Sequence, residues 1–419
     1  MSTIEINPKK EERVWPRLTT KAKNWYINAA LIVFNSLLLF IFLNLVLYAI
    51  MHMRYGTMPV SPGPLGLYGA KVFRAYPGWR AEDIKSLLKE SWGRELWFEY
   101  EPFTGIRERP FRGKFVNIDP AGFRFSKNQA PWPPRPEAIN VFMFGGSSTF
   151  GYGLPDEETI PSYFGECARS SSSGRIAVYN FGRASYFSSQ ELVLFQNLLR
   201  AGFVPQVAVF IDGLNDFTFT EDEPAFTNRL RRFMAGESRY SALDSVPMVQ
   251  AARWLEKRWT GQKLAGNTDF ADRAPLQGVI DRWLANKKMI ESIAAGYGVR
   301  TIIVVQPVPM YKYDLRWHLF YDSDRVFGTN MRSRYGYPML ESLRAQGQLG
   351  PNVLWLADIQ LDKRENLYVD TAHYTAAFSK DIAGYICDFY LTNAIRDQAG
   401  SGAAKGCFNT SSASSDKPE

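Results

Sequence analysis

Cysteine and histidine are scarce in this 419-residue chain, which has three of each. Cys167, Cys387 and Cys407 cannot all pair within the chain, so one disulfide is possible and none is required. None of the three has the spacing of a metal ligand. The sequence therefore gives no sign of a metal centre, and no cofactor is expected.

The chain also lacks a strong charge imbalance, since 49 Lys and Arg oppose 42 Asp and Glu. The net charge of +7 is too diffuse to indicate nucleic-acid binding. Hydrophobic residues make up 46% and aromatic residues 15% of the chain, which is enough to bury a full core. One large domain with embellishments is the expected organisation, and no internal repeat is present.

One long uncharged run, Trp25 to Ile50, is present near the N-terminus. It is long enough to cross a hydrocarbon core of about 30 Å as a helix, so one transmembrane helix is predicted at residues 25–50. One alternative is a helix buried in the core of the protein. A cleaved signal peptide is the other, although the apolar run is too long for one and no small-residue cleavage site follows it.

Basic residues cluster before this run, at Lys9, Lys10, Arg13, Arg17, Lys21 and Lys23, whereas only Arg54 follows it closely. The positive-inside rule then predicts a cytoplasmic N-terminus at residues 1–24. The expected location is the inner membrane, as a single-pass protein with its large C-terminal part in the periplasm or outside the cell.

The rest of the chain divides by composition. Residues 51–137 are rich in Pro, Gly and aromatic residues and are expected to be a lead-in segment that packs on the domain that follows. Residues 138–397 form that domain, interrupted by aromatic and basic insertions at 217–275 and 308–350. Insertions of this length are usually functional covers or partly disordered, and here they are expected to flank the cleft that contains Ser147. Residues 398–419 are a low-complexity tail, expected to be disordered.

Five short apolar runs alternate with helix-like stretches in the 138–397 domain. The runs are INVFMF, IAVYNF, VAVFID, TIIVVQ and VLWLAD, each punctuated by Gly, Pro or Asn. Strand and helix in alternation predict a parallel sheet with helices on both faces. The predicted fold is therefore a doubly wound, three-layer α/β/α domain with a five-stranded parallel sheet.

The first strand ends in the turn Gly145-Gly146-Ser147. Neither the phosphate-loop pattern nor the dinucleotide-binding pattern fits this turn, and the Gly-x-Ser-x-Gly elbow fails at Thr149. What remains is a serine at a turn that glycine allows to bend sharply. Ser147 is the candidate nucleophile, whereas Ser148 and Thr149 are expected to enter the next helix and cap its first turn.

Other strand ends supply possible partners for this serine, because catalytic groups gather at the carboxyl ends of such strands. Gly182 follows the second strand and Asn215 the third, where a backbone N–H and a side-chain amide suit an oxyanion hole. Asp370 and His373 follow the last strand, at a spacing that lets the carboxylate reach the imidazole. Ordinary turns and helix caps would explain each feature singly.

Together these four blocks resemble those of the SGNH/GDSL hydrolase superfamily: Ser147 in FGGSST, Gly182 in YNFG, Asn215 in GLND and His373 in DTAH. The VNIDPAGFRF segment also resembles the one that precedes the serine block in many bacterial members. The resemblance spans roughly residues 115–395. Gly146 replaces the Asp of the Gly-Asp-Ser form.

The resemblance implies the flavodoxin-like SGNH fold and a triad in which Ser147 is the nucleophile, His373 the general base and Asp370 its orienting carboxylate. It implies an oxyanion hole formed by the N–H groups of Ser147 and Gly182 with the Asn215 amide. The implied activity is a membrane-anchored esterase that acts on O-acyl or O-acetyl esters of glycans or lipids.

Two rival functions stay open at this point. The first is an O-acetyltransferase of exported polysaccharide that uses the same triad. The second is a membrane-tethered glycan-binding or assembly protein with a vestigial triad. A metal site formed by Asp212, Asp216, Asp370 and His373 is a remote further possibility, because no established ligand spacing is present.

Overall fold

The computed structural model of the protein describes residues 20–55, 63–93, 98–171, 175–225, 227, 234, 246–249, 251–252 and 269–407. The chain divides into two compact units. One comprises residues 1–59 with 239–265, and the other comprises residues 60–238 with 266–419.

Among the described residues, the first unit contains one long helix, α1 (Thr20–Tyr55). Within Lys21–Ile50, one 18-residue stretch has a mean hydropathy of 2.6, and the apolar side chains of the span are largely exposed. By length and composition this helix can cross a membrane, a property that it shares with signal sequences. The polar Asn44 is satisfied on both sides of its amide, since Nδ2 donates to the Phe40 carbonyl (2.7 Å) and Oδ1 accepts from the Met248 N–H (3.0 Å).

The second unit is built on a five-stranded parallel sheet. Its strands are β5 (Ile139–Gly145), β6 (Ile176–Asn180), β7 (Val207–Asp212), β8 (Arg300–Val305) and β9 (Val353–Trp355). Their spatial order is β6-β5-β7-β8-β9, the order of flavodoxin-like sheets. The prediction of a doubly wound fold with five parallel strands is confirmed at all five apolar runs.

Helices cover both faces of this sheet. One face packs against α6 (Ser188–Arg200), α8 (Arg273–Gly296) and α9 (Arg332–Ala345). The other packs against α5 (Ile160–Ser171) and α10 (Ala376–Cys407). Alternate residues of each strand face opposite sides, so Phe142 and Phe144 enter the first layer whereas Val141 and Met143 enter the second.

Two short helices follow strand ends and carry site residues. They are α4 (Ser147–Phe150), directly after β5, and α7 (Leu214–Thr218), directly after β7. Because β5 and β7 are parallel neighbours in the sheet, both helices begin at the same edge.

The lead-in segment folds as small elements on the same unit. It contains α2 (Pro64–Tyr68), a 3₁₀ segment (Gly69–Ala75) and α3 (Ala81–Trp92). The antiparallel pairs β1 (Phe98–Glu101) with β2 (Gly105–Glu108) and β3 (Phe111–Arg112) with β4 (Asn117–Ile118) follow. Its apolar side chains share a cluster with Phe150 and Tyr152, which lie just after the Ser147 turn.

Arg124 fixes this segment to the loop after the turn, and its side chain is fully buried. The guanidinium pairs with Asp156 at 2.9 Å and donates to the carbonyls of Phe150, Gly151 and Leu154 at 2.6–3.0 Å. An arginine with these partners is satisfied without water, so it stabilises one geometry of the loop.

Two segments outside the sheet contain regular structure. The 308–350 insertion is ordered: it contains 3₁₀ segments at Leu315–Trp317 and Asp324–Met331 and the helix α9. The last helix continues to Cys407, past residue 397, where the disordered tail was expected to begin. Each residue added to an existing helix gains one backbone hydrogen bond without a new nucleation cost, although Gly400, Gly402 and Gly406 in this stretch disfavour helix. Residues 408–419 lie outside the described residues.

A disulfide joins Cys167 of α5 to Cys387 of α10, across 220 residues of sequence. The two helices pack side by side on one face of the sheet. The sequence left this pairing open, because spacing along the chain does not show which helices are neighbours.

Candidate active site

The turn after β5 requires glycine at two successive positions. Gly145 has a φ of +153°, and a Cβ at this residue would lie 2.1 Å from the Thr149 hydroxyl oxygen. A Cβ on Gly146 would lie 2.3 Å from Nδ2 of Asn215. The missing side chains thus let α4 and α7 approach closely, with Ser147 as the first residue of α4.

Ser147, His373 and Asp370 form one hydrogen-bonded chain. Nε2 of His373 lies 2.8 Å from Oγ of Ser147, and Nδ1 lies 2.6 Å from Oδ2 of Asp370. Ser147 and His373 are 226 residues apart in sequence, so only the sheet topology brings them together. The three residues predicted as a triad therefore have the geometry of a nucleophile, a base and an orienting carboxylate.

The Asp370 carboxylate is held by the backbone as well as by the imidazole. Its Oδ1 accepts hydrogen bonds from the N–H groups of Ala372 and His373, both at 2.8 Å. Burial alone would raise the pKa of Asp370, but the His373 ring and these donors outweigh burial and leave the pKa below its usual value. Asp370 therefore stays ionised, as an orienting carboxylate must.

The loop that carries this pair is closed on itself. The Val369 N–H donates to the His373 carbonyl at 2.8 Å, and the Thr375 N–H donates to the Leu367 carbonyl at 2.8 Å. These bonds fix the ends of the loop, so the His373 ring is presented from a defined backbone.

Asn215 lies beside the Ser147 turn, and its amide has a hydrogen atom to spare. Nδ2 donates one hydrogen to the Tyr186 carbonyl at 2.6 Å. A side-chain amide carries two N–H hydrogens, so the second can serve a ligand next to Ser147. The orientation of Asn215 is therefore fixed before any substrate binds.

The Gly182 N–H, predicted as an oxyanion donor, already has a hydrogen-bond partner. Its N–H donates to Oδ1 of Asn180 at 3.0 Å, so an oxyanion would have to share this donor. A Cβ on Gly182 would lie 2.3 Å from the Phe150 nitrogen. The glycine is therefore required for close packing of the second strand end against α4.

The two hydroxyl residues after Ser147 are buried, with Ser148 5% and Thr149 0% exposed. Neither caps the helix as expected: the N-cap position is Gly146, which makes no side-chain cap, and among the described residues the Thr149 hydroxyl has no partner. The three residues of α4 after Ser147 are buried, whereas Ser147 itself is partly exposed.

Two aromatic rings that the sequence did not single out contact His373. The Tyr152 ring is stacked on the imidazole with centroids 5.6 Å apart, and Trp92 meets it at a steep angle at 5.7 Å. Trp92 is the last residue of α3, and the sequence shows it only as part of an amphipathic helix. No spacing rule connects it to the triad, since the contact arises from packing of the lead-in segment.

The four residues of the metal alternative lie in two separate groups. Among the described residues, no group of three or more His, Cys, Asp or Glu side chains is arranged to hold a metal ion. Asp370 and His373 pair with each other, whereas Asp212 and Asp216 interact with Glu191 in a buried group of carboxyls. Burial raises the pKa of all three acids in that group.

The second insertion contacts the triad loop. His318 stacks on Tyr368, two residues before Asp370, with ring centroids 5.0 Å apart. Much of the first insertion, 217–275, falls outside the described residues, so its predicted position beside the cleft stays a prediction.

No protein-family model matches the chain, and no curated protein matches it. Solved structures to which it is similar include a member of the lipolytic G-D-S-L family from Veillonella parvula (12% identity, TM-score 0.33), covering 60% of this chain and 97% of the other. Another is an acetylxylan esterase from Geobacillus stearothermophilus (13% identity, TM-score 0.34), covering 60% of this chain and 93% of the other. A third is a lipase from a goat rumen metagenome (12% identity, TM-score 0.37), covering 60% of this chain and 97% of the other. At these TM-scores the likeness by itself assigns no family or activity.

Proposed function

We propose that the protein is a serine esterase of the SGNH/GDSL type, which acts on O-acyl or O-acetyl esters. The observation that carries this proposal is the chain from Ser147 Oγ to His373 Nε2 (2.8 Å) and from His373 Nδ1 to Asp370 (2.6 Å). It lies at the strand-end edge of a parallel sheet, where open α/β folds bind their ligands.

In the proposed reaction, Ser147 Oγ attacks the ester carbonyl carbon while His373 Nε2 takes the hydroxyl proton. The tetrahedral intermediate collapses, the carbon–oxygen bond of the ester breaks, and His373 returns the proton to the leaving alcohol. Water then attacks the acyl-enzyme with His373 again as base, which releases the carboxylic acid and restores Ser147. Asp370 keeps Nδ1 protonated and compensates the charge of the imidazolium.

The Asn215 amide is the proposed main donor to the developing oxyanion, with the backbone N–H groups of Ser147 and Gly182. The fixed orientation of Asn215 supports this role. One of its two amide hydrogens bonds to the Tyr186 carbonyl, and the other can donate to an oxyanion. A donor that needs no reorganisation stabilises the transition state more than the ground state.

The proposed location is the inner membrane, with the N-terminus in the cytoplasm and the catalytic unit outside it. Two observations support this: basic residues cluster before the apolar helix, and the Cys167–Cys387 disulfide belongs to an oxidising compartment. Acylated glycans and lipids are the ester substrates available there. A reporter that works only outside the cytoplasm, fused after residue 400, should be active, and activity of a cytoplasm-only reporter would refute the orientation.

The function is tested with the full chain in detergent, supplied with a short-chain aryl ester and, separately, an acetylated glycan. Release of the aryl alcohol and of acetate is measured for the wild-type protein and for Ser147→Ala and Ser148→Ala. We expect Ser147→Ala to lose turnover and Ser148→Ala to keep it.

The same assay separates the rival functions. If added sugar suppresses acetate release and becomes acetylated, the protein is an O-acetyltransferase that uses the triad with a sugar hydroxyl in place of water. If neither ester is turned over by the wild-type protein, the triad is vestigial and the esterase proposal fails.

A further inference from the structure

His373 is held by a ring whose own position is fixed. Tyr152 stacks on the imidazole at an interplanar angle of 29°, and its hydroxyl donates to Oε1 of Glu108 at 3.2 Å. The hydroxyl stays protonated, because burial and the neighbouring Glu108 raise the pKa of Tyr152 well above its usual value. Tyr152 is therefore anchored at its hydroxyl end, with its ring face against the imidazole.

Glu108 joins this ring to the second strand end. The same Oε1 accepts the Ala184 N–H at 2.8 Å, and Ala184 lies two residues after Gly182. Glu108 is only 3% exposed, and burial raises its pKa even though the Ala184 N–H and the nearby Arg183 counteract that effect. Oε1 of Glu108 thus binds both Tyr152, which stacks on His373, and the segment that contains Gly182.

Both Glu108 and Trp92 come from the lead-in segment, which precedes the sheet in sequence. A Cβ on Gly153, next to Tyr152, would lie 2.9 Å from the Trp92 ring, so the two rings are packed tightly around the loop. The Tyr76 hydroxyl donates to the Gly153 carbonyl at 2.9 Å and fixes the same loop from outside. The lead-in segment therefore does more than cover the domain.

We propose that Glu108 and Tyr152 are positioning residues of the catalytic centre: Tyr152 supports the His373 ring, and Glu108 fixes Tyr152 relative to the Gly182–Ala184 segment. This inference rests on the proposed function. The lead-in segment thereby completes the site.

The support matters most when His373 is protonated during acyl transfer. A cation over the face of an aromatic ring within about 6 Å is stabilised, more so where water is excluded. Tyr152 therefore favours the imidazolium that forms in the transition state over the neutral ring of the resting enzyme. Its loss should lower kcat about 3- to 10-fold and move the midpoint of the acid limb of kcat/KM down by about 0.5 to 1 pH unit.

The experiment measures kcat, KM and the pH dependence of kcat/KM for aryl ester hydrolysis by the full chain. Tyr152→Leu removes the ring, whereas Tyr152→Phe keeps the ring and removes only its bond to Glu108. Glu108→Gln keeps an oxygen acceptor at Oε1, whereas Glu108→Leu removes it. Tyr100→Leu is the matched control, because Tyr100 is 77% exposed.

We expect Tyr152→Leu to lower kcat with little change in KM and to shift the acid limb. Glu108→Leu should also lower kcat and shift the acid limb, each by a smaller amount. Glu108→Gln should have values of both that lie closer to wild type. Combined with Tyr152→Phe, Glu108→Leu should be less than additive, because both changes break one linkage. Thermal unfolding of each variant identifies simple loss of fold.

Two outcomes would overturn the inference while leaving the proposed function intact. One is a Tyr152→Leu protein that folds and keeps the wild-type kcat and acid limb while Ser147→Ala is inactive. The other is Glu108→Leu and Glu108→Gln losing stability equally with no change in the pH profile, which would make Glu108 purely structural. Failure of the proposed function is distinct, since wild type itself would then show no turnover.

Discussion

The buried His318 should contribute a loss of stability in mild acid. Its side chain is 3% exposed and packs among aromatic rings, with Phe320 and Phe327 at its edge and Tyr368 on its face. Nδ1 accepts the Phe320 N–H at 3.2 Å, so the neutral ring with the proton on Nε2 is the form that fits. Protonation at Nδ1 would break this bond inside an apolar site.

Burial lowers the pKa of His318 from 6.5 to about 4, although the nearby Asp370 raises it and Lys71 lowers it further. The folded pKa is below the unfolded one, so between these values the unfolded chain binds more protons. Stability from neutral His318 is thus complete above about pH 6.5 and falls as the pH drops towards 4. At about 1.4 kcal/mol per pH unit, the window of about 2.5 units gives a loss of about 3 kcal/mol.

The measurement is the free energy of unfolding by urea, at pH 7.5, 6, 5 and 4.5, for the full chain in detergent. His318→Phe keeps an aromatic ring and removes the titration. The buried carboxyls with raised pKa values act alike in both proteins, so wild type should lose stability relative to His318→Phe as the pH falls from 6.5 to 4.5. Tyr100→Leu, which changes an exposed side chain, should keep the wild-type slope. Parallel losses for wild type and His318→Phe across this window would refute the reasoning; the low pKa of Asp370 acts only at still lower pH.

Two further predictions follow from close contacts at the site and between helices. Gly146→Ala should displace the Asn215 amide, which lies 2.3 Å from the new Cβ, and lower kcat about 10²- to 10³-fold in the aryl ester assay. Gly278→Ala is the control and should keep wild-type kcat, because its Cβ meets nothing within 4 Å. A Gly146→Ala protein with wild-type kcat would exclude Asn215 as an oxyanion donor. Replacing Cys167 and Cys387 together by serine should lower the free energy of unfolding by about 2–5 kcal/mol; urea unfolding of the non-reduced proteins measures this, and equal midpoints would contradict it.

The sheet and its strand-end residues could be predicted because their signals are local. Each buried strand is a short apolar run, three of the five end in Gly, Asn or Asp, and a parallel sheet places all five ends at one edge. The meeting of Ser147, Asp370 and His373 at that edge agrees with the sequence prediction, although their catalytic roles stay predictions until tested. The helix α8 begins at Arg273, inside the predicted 217–275 insertion, because Asp272 caps it by accepting the Ala274 N–H.

The supports of the site could not be predicted, because they depend on contacts between distant segments. Trp92 and Glu108 carry no motif, and they reach the centre only through packing of the lead-in segment. Likewise, the pairing of Cys167 with Cys387 depends on which helices share a face of the sheet. Periodicity fixes which face of an element is buried, but it does not identify the partner that covers it.

The most direct test of the catalytic claim is to label the wild-type protein with a fluorophosphonate and map the modified residue by peptide mass spectrometry. Such probes react with serines activated by a neighbouring base, and Ser147 is the hydroxyl that lies 2.8 Å from His373 Nε2. We predict a single adduct on Ser147, lost in Ser147→Ala and strongly reduced in His373→Gln, with Ser148→Ala labelled like wild type. An adduct on Ser148 or Thr149, or labelling that persists in Ser147→Ala, would contradict the account.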